Sequence, residues 1–148
     1  MFNADSAERR QVRGTRAVEI RIPALLENLA VVRTLIGALA TFEDLDLDAV
    51  ADLRLAVDEA CTRLIRSAAP AATLVVVVDP RVNDLVVEAS TTSAATTAEE
   101  ILTPGSFGWH VLAALADDVQ IFHDGVELGS PDPVVGISLT ARRVSPSR

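Results

Sequence analysis

The stretch LDAVADLRLAVDEACTRLIRS, residues 47–67, decides how this chain folds. Its apolar side chains fall at Leu47, Val50, Leu53, Val57, Cys61 and Leu64, steps of three and four that line one face of a helix. Asp52, Glu59, Arg63 and Arg66 fall on the other face. Glu59 and Arg63 stand one turn apart, a spacing that ordinarily gives a solvated ion pair contributing about 0.2–0.5 kcal/mol. Just ahead, the Asp46 carboxylate can accept an unpaired first-turn amide. Pro70 closes the far end.

Upstream of this helix, Val18, Ile20 and Ile22 alternate with Glu19 and Arg21, the period of a half-buried strand over residues 16–22. Pro23 ends that strand and is placed to begin a helix, since proline suits a first turn whose amides have no internal acceptor. From Ala24 to about Thr41 a second apolar stripe runs through Leu25, Leu29, Val32, Ile36 and Leu39. Leu26, Val31 and Leu35 widen it, predicting burial on more than one side. Gly37 inside this helix costs about 1 kcal/mol relative to alanine, and permits close packing.

Downstream, Thr73 to Val78 is β-branched except for Leu74, and Leu85 to Ala89 makes a second strand after a turn at residues 82–84. The two form a hairpin. Residues 90–103, rich in Ser, Thr and Ala, show no strand period and read as loop. A glycine-containing turn over 104–108 feeds a helix over about 109–116. Strands follow around Val119 to His123 and from Val134 to Ala141, with an irregular Gly/Pro turn between them and a basic tail at Arg142, Arg143 and Arg148. The order strand, two helices, two strands, helix, two strands predicts an α/β fold. Its expected form is a two-layer sandwich of a mostly antiparallel five-stranded sheet covered by helices on one face. Residues 1–14 are expected to be a flexible N-terminal segment, 15–144 the domain and 145–148 a tail.

A chain of 148 residues with 49% apolar and 23% charged side chains supports one domain with a real core. The net charge of -8 argues against nonspecific nucleic-acid binding, which needs excess positive charge to displace counterions. It allows a basic protein partner. Cys61 is the only cysteine and lies on the apolar stripe, so it reads as an inert thiol with no disulfide. His110 and His123 are the only histidines, too few for a metal cluster. The polar N-terminus lacks the apolar core of a signal peptide, and no run reaches spanning length. A cytoplasmic protein is expected.

The run Leu53-Arg54-Leu55-Ala56-Val57-Asp58-Glu59-Ala60-Cys61-Thr62 resembles the first nucleotide-site helix of the histidine-kinase-like ATPase fold. The run Val111-Leu112-Ala113-Ala114-Leu115-Ala116-Asp117-Asp118-Val119 resembles the helix and turn after that family's glycine-rich loop. Together, across residues 18–143, they are similar to bacterial anti-sigma factors of serine-kinase ancestry, in particular the mycobacterial-type branch acting on sigma F.

The resemblance implies roles for individual residues. Glu59 matches the glutamate that orients the attacking hydroxyl, but Arg63 stands where the family has a magnesium-holding asparagine, and arginine has no acceptor oxygen for a metal. Glu88 is the acidic residue nearest the adenine-binding aspartate's position, and strand alternation alone makes it an ordinary polar-face residue. No glycine follows it. Gly108 matches the second phosphate-loop glycine, Ser106 replaces the first and Gly105 partly compensates. The same turn also reads as capped and packed by Phe107 and Trp109. On the last strand, Gly136-Ile137 replaces glycine and a hydroxyl residue.

For function, the resemblance implies sequestration of a sigma F-type factor from core RNA polymerase, release by an anti-anti-sigma factor, and a homodimer without direct nucleic-acid or membrane contact. The N-terminal strand and first helix would carry the partner face, with Arg21, Glu27 and Arg33 as polar contacts. The loss of polar groups predicts degraded kinase activity, with no cofactor required. The alternative is an ATP- and magnesium-dependent serine kinase acting on the anti-anti-sigma factor through an atypical site of Glu59, Arg63, Gly105 and Gly108. A third reading is a dimerisation domain with a different partner.

Overall fold

The structure, a computed structural model, describes residues 13–93, 101–124 and 133–143. In chain order the elements are β1 (Val18–Pro23), a 3-10 turn (Leu26–Asn28), α1 (Leu29–Phe42), α2 (Leu47–Arg66), β2 (Thr73–Pro80), β3 (Asp84–Thr92), α3 (Phe107–Leu115), β4 (Asp118–Asp124) and β5 (Val134–Arg142). The strands form one sheet in the order β1-β2-β3-β5-β4, and every neighbouring pair is antiparallel. This is the expected two-layer α/β sandwich.

Strand alternation sorts the sheet into two faces. Leu74, Val76 and Val78 of β2, Leu85, Val87 and Ala89 of β3, and Val135, Ile137 and Leu139 of β5 share one core with the helices. Into that core α2 sends Val50, Leu53, Val57, Cys61 and Leu64. The Asp46 cap forms, with the Ala49 amide donating to Asp46 Oδ1 at 2.8 Å. Leu47, the first residue of α2, departs from the expected stripe and is 84% exposed. At Gly37, an added Cβ would lie 3.2 Å from Arg54 Cδ. The Arg54 stem therefore crosses α1 where the glycine leaves room.

Three expectations are corrected. Pro23 does not open a helix: it remains paired with Thr73, and Ala24 still donates to Ala72 O at 3.0 Å. Asn28 Nδ2 then donates back to Pro23 O at 2.8 Å, which holds the chain in a 3-10 turn and delays α1 until Leu29. Secondly, the broad apolar face expected of this stretch is not buried all round, since Leu26 in the 3-10 turn and Val31 in α1 are 48% and 45% exposed.

Thirdly, β3 runs on through Ser90, Thr91 and Thr92, which pair with Gly136, Val135 and Val134. Threonine is β-branched and suits a strand once a neighbour exists. Thr91 is buried, and its Oγ1 is satisfied by Thr73 O at 2.8 Å. The remaining expected loop at 94–100 lies outside the described residues, as do 1–12, the turn at 125–132 and the tail at 144–148.

Of the expected flexible segment, Arg13 and Gly14 are tied down. Arg13 Nη1 donates to Glu19 Oε1 at 2.9 Å, and the Gly14 amide donates to both Asp79 oxygens at 3.1 and 3.2 Å. Among the described residues no helix is long and apolar enough to cross a membrane.

Candidate functional site

The outward side of α2 faces the start of α3, and Arg63 bridges the gap. Its Nε donates to Glu59 Oε2 at 2.7 Å, the ion pair expected from their spacing. Its Nη1 reaches Ile101 O at 3.3 Å, a partner 38 residues away that no local pattern reveals. The two side chains retain 32% and 35% exposure, so the pair is half-buried rather than fully solvated. The guanidinium lies against Gly108: a Cβ built there would meet Nη2 head-on and stand 2.5 Å from Cζ. Glu59, Arg63 and Gly108 therefore come together, with Ile101 as a fourth member that sequence reasoning missed.

The turn before α3 is built by local chemistry. Ser106 N donates to Thr103 O at 3.0 Å, with Pro104 and Gly105 at the centre and Gly105 at φ +84°. Proline followed by a glycine of positive φ makes a type II turn. Gly105 thus owes its identity to backbone conformation, and nothing lies within 4 Å of where its Cβ would be. Ser106 caps the helix, accepting from the Trp109 amide at 3.3 Å. Trp109 packs against the core, whereas Phe107 is 83% exposed, so only one of the two aromatics packs the turn.

Glu88 is not brought to this cluster. It alternates with Val87 and Ala89, which face the helices, and so lies on the opposite side of the sheet, across from Val77 and Ser138. Gly136 is on that far face too, beneath the Phe122 ring, while Ile137 is in the core.

The N-terminal candidates are dispersed. Arg21 Nε donates to Glu19 Oε2 at 2.8 Å on the sheet's far face. The hydrogen bond from Arg13 is the largest cause holding the Glu19 carboxyl below its ordinary range, and the one from Arg21 adds to it. Glu27 is exposed in the 3-10 turn. Arg33 lies across the surface toward α2, 43% exposed, donating to Asp58 Oδ1 from Nη2 at 2.7 Å and from Nε at 3.1 Å. Beside them Leu25, Leu26 and Val31 are 50%, 48% and 45% exposed, a short apolar run that the stripe pattern assigned to the interior.

A family model described as the histidine kinase-like ATPase domain matches residues 22–129. This chain belongs to the histidine kinase-like ATPase family. It is also 61% identical, over all 148 residues and 86% of the relative's length, to a protein named anti-sigma-F factor RsbW from Mycobacterium tuberculosis (strain CDC 1551 / Oshkosh). The same protein of strain ATCC 25618 / H37Rv matches with the same identity and coverage.

As a histidine kinase-like ATPase domain, the chain can be tested for its fit to magnesium ATP. The fit is poor. Arg63 supplies no metal-ligand oxygen, its guanidinium lies on Gly108, and Glu59 is held by that guanidinium. Glu88 is on the wrong side of the sheet to join them. Among the described residues no group of three or more His, Cys, Asp or Glu is placed to hold a metal ion.

Proposed function

We propose that this chain is a cytoplasmic anti-sigma factor that captures a sigma F-type factor and keeps it from core RNA polymerase, without phosphoryl transfer. The observation that carries this reading is the 61% identity, along the entire chain, to a relative named as an anti-sigma-F factor. Identity along the whole chain is more than a shared fold, which alone would say nothing about a partner.

The partner surface in this reading is the stretch from β1 into α1. Leu25, Leu26 and Val31 supply exposed apolar area, and Glu27 lies among them. Exposed apolar clusters rimmed by polar groups are where proteins associate. Arg21 contributes from the strand. Arg33 contributes from α1, where its side chain is 43% exposed beside Asp58. An anti-anti-sigma factor releases the captured factor by competing for an overlapping surface, and the working unit is a homodimer.

The alternative is serine kinase activity toward that antagonist. Transfer of a phosphoryl group needs charge neutralisation and an aligned nucleophile, and the Glu59–Arg63–Gly108 arrangement supports neither. The deciding experiment is purification of the full chain with a sigma F-type factor, without nucleotide and then with magnesium ATP, followed by a phosphate-transfer assay on the antagonist. A stable complex in both conditions with no transfer is expected. No complex in either condition removes the anti-sigma reading, and transfer to a serine of the antagonist establishes the kinase.

A further inference from the structure

We propose that Arg63 is an intramolecular latch seated on Gly108, which closes the space between α2 and the start of α3 to phosphate-bearing ligands. It joins α2, the segment at Ile101 and α3 into one unit without a nucleotide. This inference goes beyond the anti-sigma reading and does not depend on it, since its support is steric and electrostatic.

The steric support begins with glycine. Gly108 is the second residue of α3, in its first turn, and is buried. It does not have positive φ; of the described glycines only Gly105 does. Backbone conformation therefore does not require glycine at position 108, and Arg63 fills the space that a side chain would take. A Cβ there would collide with Nη2 and stand 2.5 Å from Cζ and 3.1 Å from Nε of Arg63. The two glycines of the turn serve different ends: one permits a left-handed backbone, the other receives a guanidinium.

The electrostatic support is the use of the guanidinium's edges. Nε is committed to Glu59 and Nη1 to the Ile101 carbonyl, while Nη2 is pressed onto Gly108. The amino end of a helix carries partial positive charge, so a cation there needs a counter-charge, and Glu59 supplies it. An incoming phosphate would have to displace the guanidinium and break both hydrogen bonds. It would also leave the Glu59 carboxylate facing another anion. The arrangement excludes phosphate and does not clamp it.

A double-mutant cycle on the full chain tests the seat, comparing wild type, Gly108→Ala, Arg63→Ala and the double variant by thermal unfolding. Overpacking should make Gly108→Ala lower Tm by about 5 °C or more in the wild-type background. The double variant should melt with Arg63→Ala. If Gly108→Ala alone fails to fold, a folded double variant supports the seat and an unfolded one overturns it. An equal loss in both backgrounds also overturns it, because some other group would then require the glycine. Calorimetric titration with magnesium ATP tests closure: Arg63→Asn should bind at least about tenfold more tightly than wild type. Equal or weaker binding by that variant overturns the exclusion. Neither measurement uses the sigma factor, so their failure is separate from failure of the anti-sigma reading.

Discussion

Arg143, the residue after β5, donates from Nη2 to Oε1 of Glu43, in the turn between α1 and α2, at 2.9 Å and across 100 positions of sequence. Its Nη1 donates to the Glu43 carbonyl and its Nε to Arg81 O at 2.9 Å. Arg16 donates to the other Glu43 oxygen. The Glu43 side chain is only 7% exposed, so one buried carboxylate joins the chain before β1, the turn after α1 and the end of the sheet. Asp79, also buried, holds the Gly14 amide and Arg81 alongside.

Removing Glu43 therefore leaves Arg143 partly buried without its counter-charge. Glu43→Ala is expected to destabilise the fold by about 3 kcal/mol. Arg16→Ala, whose side chain is 58% exposed, should cost at most about 1 kcal/mol. Urea unfolding with an unchanged m-value distinguishes them. Equal effects would show that Glu43 acts through something other than Arg143.

If the exposed apolar run binds the sigma factor, Leu26→Glu or Val31→Lys should weaken the complex by about 30-fold, the effect of losing a central contact. As surface changes, both should leave stability within about 0.5 kcal/mol of wild type. Affinity by interferometry and Tm on the same samples read the two effects. Unchanged affinity would move the interface elsewhere.

Burial, with a smaller contribution from Asp58, pushes the Cys61 thiol from its ordinary 9.0 up to about 12. The folded protein should resist a thiol-specific disulfide reagent at pH 8 and react fully only after denaturation. The sign of the pH effect follows: above pH 9 the unfolded thiol loses its proton while the folded one keeps it. Its contribution to stability therefore falls as pH rises from 9 toward 12. Cys61→Ala should remove that slope from the unfolding free energy. Rapid labelling of the native protein at pH 8 would show that the site opens.

At Gly136 an added Cβ would meet the Phe122 ring, with Cε1 at 2.7 Å, and also the Ala89 carbonyl at 2.8 Å. Gly136→Ala should cost about 1–3 kcal/mol by overpacking. Phe122→Leu should rescue it only in part, since backbone is half of the obstacle. Full rescue, seen by denaturant midpoint, would show that the strands can spread.

Legibility in the sequence followed the range of the interaction. The α2 stripe, the Asp46 cap, the β2–β3 hairpin and the Glu59–Arg63 pair are local, set by spacing within a turn or two, and were readable. Strand Ser90–Thr92 was not, because its partners Val134–Gly136 lie more than forty positions on and supply what the threonines and serine lack in period. The start of α1 is not legible locally, because Pro23 is compatible with both a helix start and a strand end, and the Ala24–Ala72 bond decides it. Leu47 and Val31 fit the apolar stripes by number and still lie at the surface, since periodicity defines a face and does not say what covers it. At the candidate site, the one-turn spacing of Glu59 and Arg63 made their ion pair legible. That spacing could not show that Ile101 and Gly108 complete the arrangement.

Trp109 is the only tryptophan, and the chain has no tyrosine. It sits directly after Gly108 at the start of α3, partly packed against the core. Emission excited at wavelengths that phenylalanine does not absorb consequently originates at a single known point, beside the junction of α2 and α3. A rearrangement that changes the solvent around Trp109 can thus be followed by its emission without a dye.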